Sequence, residues 1–325
     1  MSEAPPVHSP SPRRTALATG AGLVLLLVAG AVAPRWLTSL ATLALANGLV
    51  SLGIVVMMRC GAVPFGQGLV FAAGGYAAAL LFNKAGITDI VLLSALGALA
   101  GCAIAAPFAP LLARYRGIFF AMLTLALSMV LYGLLMKTEP LGGSDGFNVG
   151  RATLLGWKPP DAAAHYVLWA VTATIACGLG GLMRIYFDSQ RGLLSLGVRE
   201  NELRVEYLGS SVTQIVAVNY LVAAALGGAG GALAVLALGH IDPNFSYWTT
   251  SGEFVFVAIL AGHHSVVAVL ASSFLLELVR SFSSAWFPNT WQLALGLFLL
   301  LVIRFLPDGL GSLLARLPVL PRRAA

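Results

Sequence analysis

Long apolar runs alternate with short polar breaks along the chain, and most of them approach or reach the roughly 20 residues that a helix needs to cross a hydrocarbon core. They cover 16–33, 37–58, 64–82, 89–113, 117–137, 165–186, 213–238, 249–262, 265–284 and 290–306. The eighth is short. About 14 helical residues rise about 21 Å, less than a bilayer core, so neighbouring helices are expected to shield it. A membrane β-barrel would show alternating segments of about ten residues instead of unbroken runs. The pattern therefore predicts an all-α, polytopic transmembrane helical bundle with about ten membrane segments.

Composition sharpens this picture. The chain is 58% hydrophobic and only 10% charged, too little polar surface for a soluble protein of 325 residues. The net charge of +6 would suit nucleic acid, but in a membrane protein the placement of basic residues says more than their sum, and no nucleic-acid partner is expected. With a cytoplasmic N-terminus, only Arg35, Lys84, Lys137, Arg151, Lys158 and Arg280 of the 19 basic residues fall outside. The positive-inside bias thus favours cytoplasmic N- and C-termini in a bacterial inner membrane. The opposite topology reverses that bias, and fusing the eighth and ninth runs would leave the basic C-terminus outside.

The organisation that follows is a cytoplasmic tail and first helix over 1–36, a transmembrane domain over 37–315 and a basic cytoplasmic tail over 316–325. Arg13 and Arg14 before the first run resemble the start of a signal peptide. A retained helix is the favoured reading, because the run is long and Pro34 and Arg35 leave no clear cleavage site. Cys60, Cys102 and Cys177 are widely spaced, without a CxxC pair or metal-ligand spacing, and read as small core residues.

Two polar stretches are long enough to do more than turn the chain. The first, 138–164, lies outside and is rich in Gly and Pro. The second, 187–212, lies inside and contains SLGVRENELRVEYLGSS. Placed on a single helix, Leu196, Leu203 and Tyr207 share a face with Arg199, while Glu200 and Arg204 form an i,i+4 pair. Gly209 then stops the helix and Val212 restarts the apolar pattern. A solvated loop and a helix that docks in a partner's groove both fit these properties.

The sequence RGLLSLGVRENELRVEYLG over 191–209 resembles the cytoplasmic coupling segment of the inner-membrane permeases of branched-chain amino acid ABC importers. Four other stretches resemble the same family in the same order: GAVPFGQGLVFAAGGYAAALL at 61–81, GIFFAMLTLALS at 117–128, LGGSDGF at 141–147 and FLPDGL at 305–310. Together they span about Leu37 to Leu314, and among the two permease types of such importers the chain is similar to the LivM type. The resemblance implies two ATP-binding subunits, a second homologous permease and a periplasmic or extracellular substrate-binding protein as partners, within membrane lipid. It makes Arg191, Leu196, Arg199, Glu200, Asn201, Glu202, Leu203, Arg204, Tyr207 and Gly209 the residues of ATPase coupling. No GxxxxGK[ST] phosphate loop occurs in the chain, so ATP and Mg are expected in the partner subunits and no cofactor in this one.

Other positions carry paired readings. Gly61, Gly66, Gly68, Gly74 and Gly75 surround Gln67 and Tyr76, which suits either tight helix packing or a translocation path lined by Gln67, Phe71, Tyr76 and Phe119. Relatives usually carry Ser-Leu-Gly-His where this chain has Pro64-Phe65-Gly66-Gln67. Asn47 and Asn219 suit bonds to neighbouring helices, and Gly227, Gly228, Gly230 and Gly231 suit either close packing or a bend. In the outer loop the resemblance suggests Asp145 and Arg151 at the rim of a binding-protein dock.

His263 and His264 are adjacent and point apart, so a solvated turn in contact with the ATPase is favoured over metal binding. Glu277 and Arg280 are spaced for an i,i+3 pair. No GxSxG, paired carboxylates or nucleophile with a positioned base appear, so no enzymatic activity is expected. The expected function is a permease subunit of an ATP-driven importer for branched-chain or related amino acids. The main rival is a stand-alone secondary transporter or channel, and mid-membrane ionisable residues of the kind that proton coupling uses are scarce here.

Overall fold

The computed structural model describes residues 12–161, 163–262, 265–288, 290–305 and 309–311. Each of the ten apolar runs holds a helix. In chain order these are α1 (Pro12–Val32), α2 (Arg35–Met58), α3 (Gln67–Ala85), α4 (Ile90–Ala105), α6 (Gly117–Lys137), α7 (Ala164–Asp188), α10 (Val212–Leu238), α11 (Trp248–Ala261), α12 (Val266–Trp286) and α13 (Trp291–Phe305). Between them lie three short helices, α5 (Ala109–Leu112), α8 (Gln190–Glu200) and α9 (Glu202–Tyr207). Among the described residues α2, α3, α6, α7, α10 and α12 are long and apolar enough to cross a membrane, while α1, α4, α11 and α13 have shorter apolar spans. The fourth run is not one helix: α4 ends at Ala105 and α5 begins only at Ala109, because Pro107 cannot continue the helical hydrogen bonding.

Local chemistry sets these boundaries. The side chains of Asp89, Ser211 and Ser265 accept from the backbone N–H three residues on and start α4, α10 and α12. Gly86 and Gly239 end α3 and α10 in the left-handed conformation.

α10 is the centre of the bundle. It packs against α2, α3 and α4, with α7 and α12 against α2, and α1 against α7. The glycines of α10 make this possible. A β-carbon on Gly228 would overlap the backbone of Gly97 in α4, and one on Gly74 in α3 would overlap Gly228. Three helix backbones therefore meet without side chains between them, the close packing that this glycine cluster suits.

The start of α3 is a second organising point. Residues 61–66 are irregular, with Ala62, Pro64 and Gly66 buried, and buried backbone groups need a protein partner. Phe65 N–H donates to Thr124 Oγ1 of α6 at 3.2 Å, and Gly68 N–H to Ser251 Oγ of α11 at 2.9 Å. Gln67, only 2% exposed, donates from Nε2 to the carbonyl of Ala223 in α10 at 3.0 Å. Ser128 Oγ donates to the Ser246 carbonyl at 2.7 Å. The buried face of α6 thus carries the hydroxyls that complete two broken segments.

Connections gather into two groups. In one, a two-residue antiparallel ribbon joins β1 (Phe147–Asn148) to β2 (His240–Ile241). Asn83 Nδ2 donates to the Asn148 carbonyl at 2.9 Å and Ile90 N–H to the Thr153 carbonyl at 3.0 Å. The long loop after α6 is therefore pinned to the ends of α3, α4 and α10. In the other group stand Arg59, the α5–α6 connection and 186–211.

The partly buried ionisable groups of α12 have partners, though not as the i,i+3 spacing predicts. Arg280 Nη1 lies 2.9 Å from Glu253 Oε2 of α11 and over the Trp291 ring, while Glu277 accepts from Asn47 Nδ2 of α2 at 3.4 Å. The pairing runs between helices because α11 and α2 bring their polar groups to the buried side of α12, where a bond saves more desolvation than one along the helix surface. Removing one partner of a fully buried pair costs about 3–5 kcal/mol. Because Arg280 is partly open, Arg280→Met is expected to cost about 2 kcal/mol. The readout is a lower thermal unfolding midpoint in detergent, largely recovered when Glu253→Gln is added.

Candidate functional site

The charged segment 187–212 is an elbow of two helices, not the single amphipathic helix that the pattern predicts. Ser189 is extended and its Oγ accepts from Gly192 N–H at 3.3 Å, starting α8. A β-carbon on Gly192 would overlap the carbonyls of Tyr186 and Phe187, so a glycine there lets α8 fold back on the end of α7. Asn201 is extended at φ −161° and its Oδ1 accepts from Arg204 N–H at 3.1 Å, ending α8 and starting α9. An asparagine favours such a cap over the interior of a helix.

The break rearranges the predicted face. Leu196 belongs to α8, whereas Leu203 and Tyr207 belong to α9, and the Glu200–Arg204 spacing no longer runs along one helix. Glu202 instead pairs with Arg116, Nε to Oε1 at 2.5 Å, tying α9 to the α5–α6 connection. Val198 and Val205, absent from the sequence-based candidates, are the buried anchors and pack with Met57, Leu112, Phe120 and Val216. Leu203 is 64% and Tyr207 89% exposed. Arg191, Arg199, Glu200, Asn201, Arg204 and Gly209 are exposed as well. An open groove of about 410 Å³ runs between α8 and α9, bordered by Leu193, Leu194, Glu200, Arg204 and Leu208 among others. The elbow is held by a few valines and offers the rest of its surface outward.

Polar ties fix its base. Arg59, buried at the end of α2, sits 4.4 Å over the Phe187 ring and donates to the Phe187 carbonyl. Fully buried Asn219 of α10 accepts from Tyr186 O–H and donates from Nδ2 to Ser195 Oγ at 2.8 Å and Cys60 Sγ at 2.6 Å.

The remaining sequence candidates are not brought into one place. Gln67, Phe71 and Tyr76 lie buried along α3, where Phe71 stacks on Phe245 at 4.9 Å and packs edge-on to Phe254. Phe119, 74% exposed, faces outward from α6. In the loop after α6, Asp145 accepts from Ser144, and Arg151 pairs with Asp161. His263 and His264 lie outside the described residues, as do parts of the FLPDGL stretch and the basic tail over 316–325.

Packed apolar helices with one charged elbow at the end of the bundle define a multi-pass helical membrane protein whose fold matches a polytopic permease. The family model "Branched-chain amino acid transport system / permease component" matches residues 36–304. The chain belongs to this family and is a permease subunit of an ABC-type importer, a transporter component; a stand-alone transporter or channel is not favoured. It is similar to two curated relatives called high-affinity branched-chain amino acid transport system permease protein LivM. The relative from Salmonella typhimurium is 25% identical, with 85% of this chain and 70% of the relative covered. That from Escherichia coli is 26% identical, with 89% and 74% covered. No solved structure matches the chain.

Proposed function

We propose that the chain forms half of a translocation path with a second, homologous permease and that two ATP-binding subunits drive it through the α8–α9 elbow. ATP and Mg belong to those subunits. A substrate-binding protein delivers the solute to the opposite face, near the pinned loop that carries Asp145 and Arg151. The relatives' names support a branched-chain or related amino acid as the solute. All ten apolar runs cross the bacterial inner membrane, with the elbow and both termini cytoplasmic; the positive-inside bias and the two groups of connections support this arrangement.

The observation that carries the reading is the division of labour within the elbow. Buried Val198 and Val205 hold it to the bundle, whereas Leu203, Tyr207 and Leu208 project outward among charges of both signs. A helix pair resting on its own protein would bury its largest apolar side chains. Here they are left for a partner, with charges to set the register.

Affinity purification of the tagged chain from native membranes in mild detergent tests the assembly. Proteins with nucleotide-binding motifs and a second permease are the expected companions. Recovery of the chain alone, under conditions that keep a known importer intact, would overturn the reading.

A further inference from the structure

The geometry points to Asn219 as the positioning residue that transmits movement of the elbow to the membrane helices; the inference rests on the elbow being the ATPase-driven surface. Ser195 is the buried polar residue of α8, and its hydroxyl proton is spent on the Arg191 carbonyl at 2.8 Å. Its oxygen is thereby an acceptor, which orients the Asn219 amide with Nδ2 toward Ser195 and Oδ1 toward the Tyr186 hydroxyl. A directed chain results, from Tyr186 in α7 through Asn219 in α10 to Ser195 in α8, with Cys60 at the end of α2 on the second amide proton. Four elements of the bundle share one side chain.

What makes this a transmission point is the contrast with the other contacts of α8. Val198 packs through non-directional apolar contact, which tolerates sliding. The 2.8 Å hydrogen bond from Asn219 to Ser195 weakens steeply with distance and angle, so it resists sliding. Asn219 sits seven residues into α10, about 10 Å from its start at 1.5 Å per residue. Because α10 contacts α3 and α4 backbone to backbone through Gly228, a displacement taken up at Asn219 carries the centre of the bundle with it. The Arg116–Glu202 pair ties α9 to the α5–α6 connection and bypasses α10.

The test compares the wild-type complex, purified with its ATP-binding subunits and second permease, with complexes bearing Ser195→Ala or Asn219→Leu. Radiolabelled leucine import and ATP hydrolysis are measured in the same vesicles. Ser195→Ala removes only the arm to α8 and keeps the rest of the network, so it remains informative if Asn219→Leu fails to assemble. Leucine imported per ATP hydrolysed is expected to fall about tenfold, the factor that corresponds to 1.4 kcal/mol. ATPase subunits should co-purify undiminished, and adding Ser195→Ala to an assembled Asn219→Leu should change nothing further. A purely structural role would lower the yield of the complex and leave this ratio alone. An unchanged ratio for Ser195→Ala with ATPase still bound would overturn the inference and spare the reading of the elbow. A wild-type chain that retains no ATPase would overturn both.

Discussion

Replacing Leu203 and Tyr207 together by aspartate is expected to abolish ATP-driven uptake while the chain remains folded and inserted. Both side chains are largely exposed, and surface substitutions of this kind change stability by no more than about 0.5 kcal/mol. Docked in a partner, each becomes an apolar anchor whose loss costs about 2 kcal/mol or more. Aspartate adds the burden of an unpaired carboxylate in the contact. Two such losses weaken the association by about a thousandfold. Membrane level by immunoblot and uptake by filter assay separate the outcomes. Wild-type uptake at wild-type protein level would remove the elbow from the drive mechanism.

The second large effect lies in the bundle. Gly228→Leu is expected to leave no monodisperse protein in detergent, because the new side chain would occupy the place of the Gly97 and Gly101 backbone of α4. Overpacking a core costs about 1–3 kcal/mol when side chains can yield. Backbones of two crossing helices yield far less, which puts this change beyond about 4 kcal/mol, in the tail where folding fails. Gly133→Ala in α6 provides the internal comparison. Nothing lies within 4 Å of a β-carbon there, so its helix should gain about 0.5–1 kcal/mol. Size-exclusion profiles and unfolding midpoints read both changes.

Apolar periodicity made the positions of the ten helices legible, because lipid demands long uninterrupted runs and the chain supplies them. It did not show that the fourth run breaks near Pro107 or that α3 begins three residues late. Hydropathy is blind to irregular backbone, and the hydroxyls that accept from Phe65 and Gly68 lie on α6 and α11, far away in sequence. The elbow was visible as charge, yet its shape was not. Asn201 offered the signal: an asparagine between two charged residues, three positions before Arg204, is a helix cap as readily as a helix interior. Read that way, it would have separated Leu196 from Leu203 and pointed to Val198 and Val205 as anchors. The partners of Arg280 and Glu202 required the fold, since local spacing favoured Glu277 and the competing acids and bases stood on other helices. Asn219 was expected to bond a neighbouring helix. That it joins Tyr186, Ser195 and Cys60 at once emerges only when α8 turns back at Gly192.

Site-specific photocrosslinking tests the central claim most directly. A benzophenone side chain in place of Tyr207, in the full chain in native membranes, should yield on irradiation an adduct with a protein that carries nucleotide-binding motifs, identified by mass spectrometry. Adducts with lipid alone, or with proteins lacking such motifs, would contradict the account.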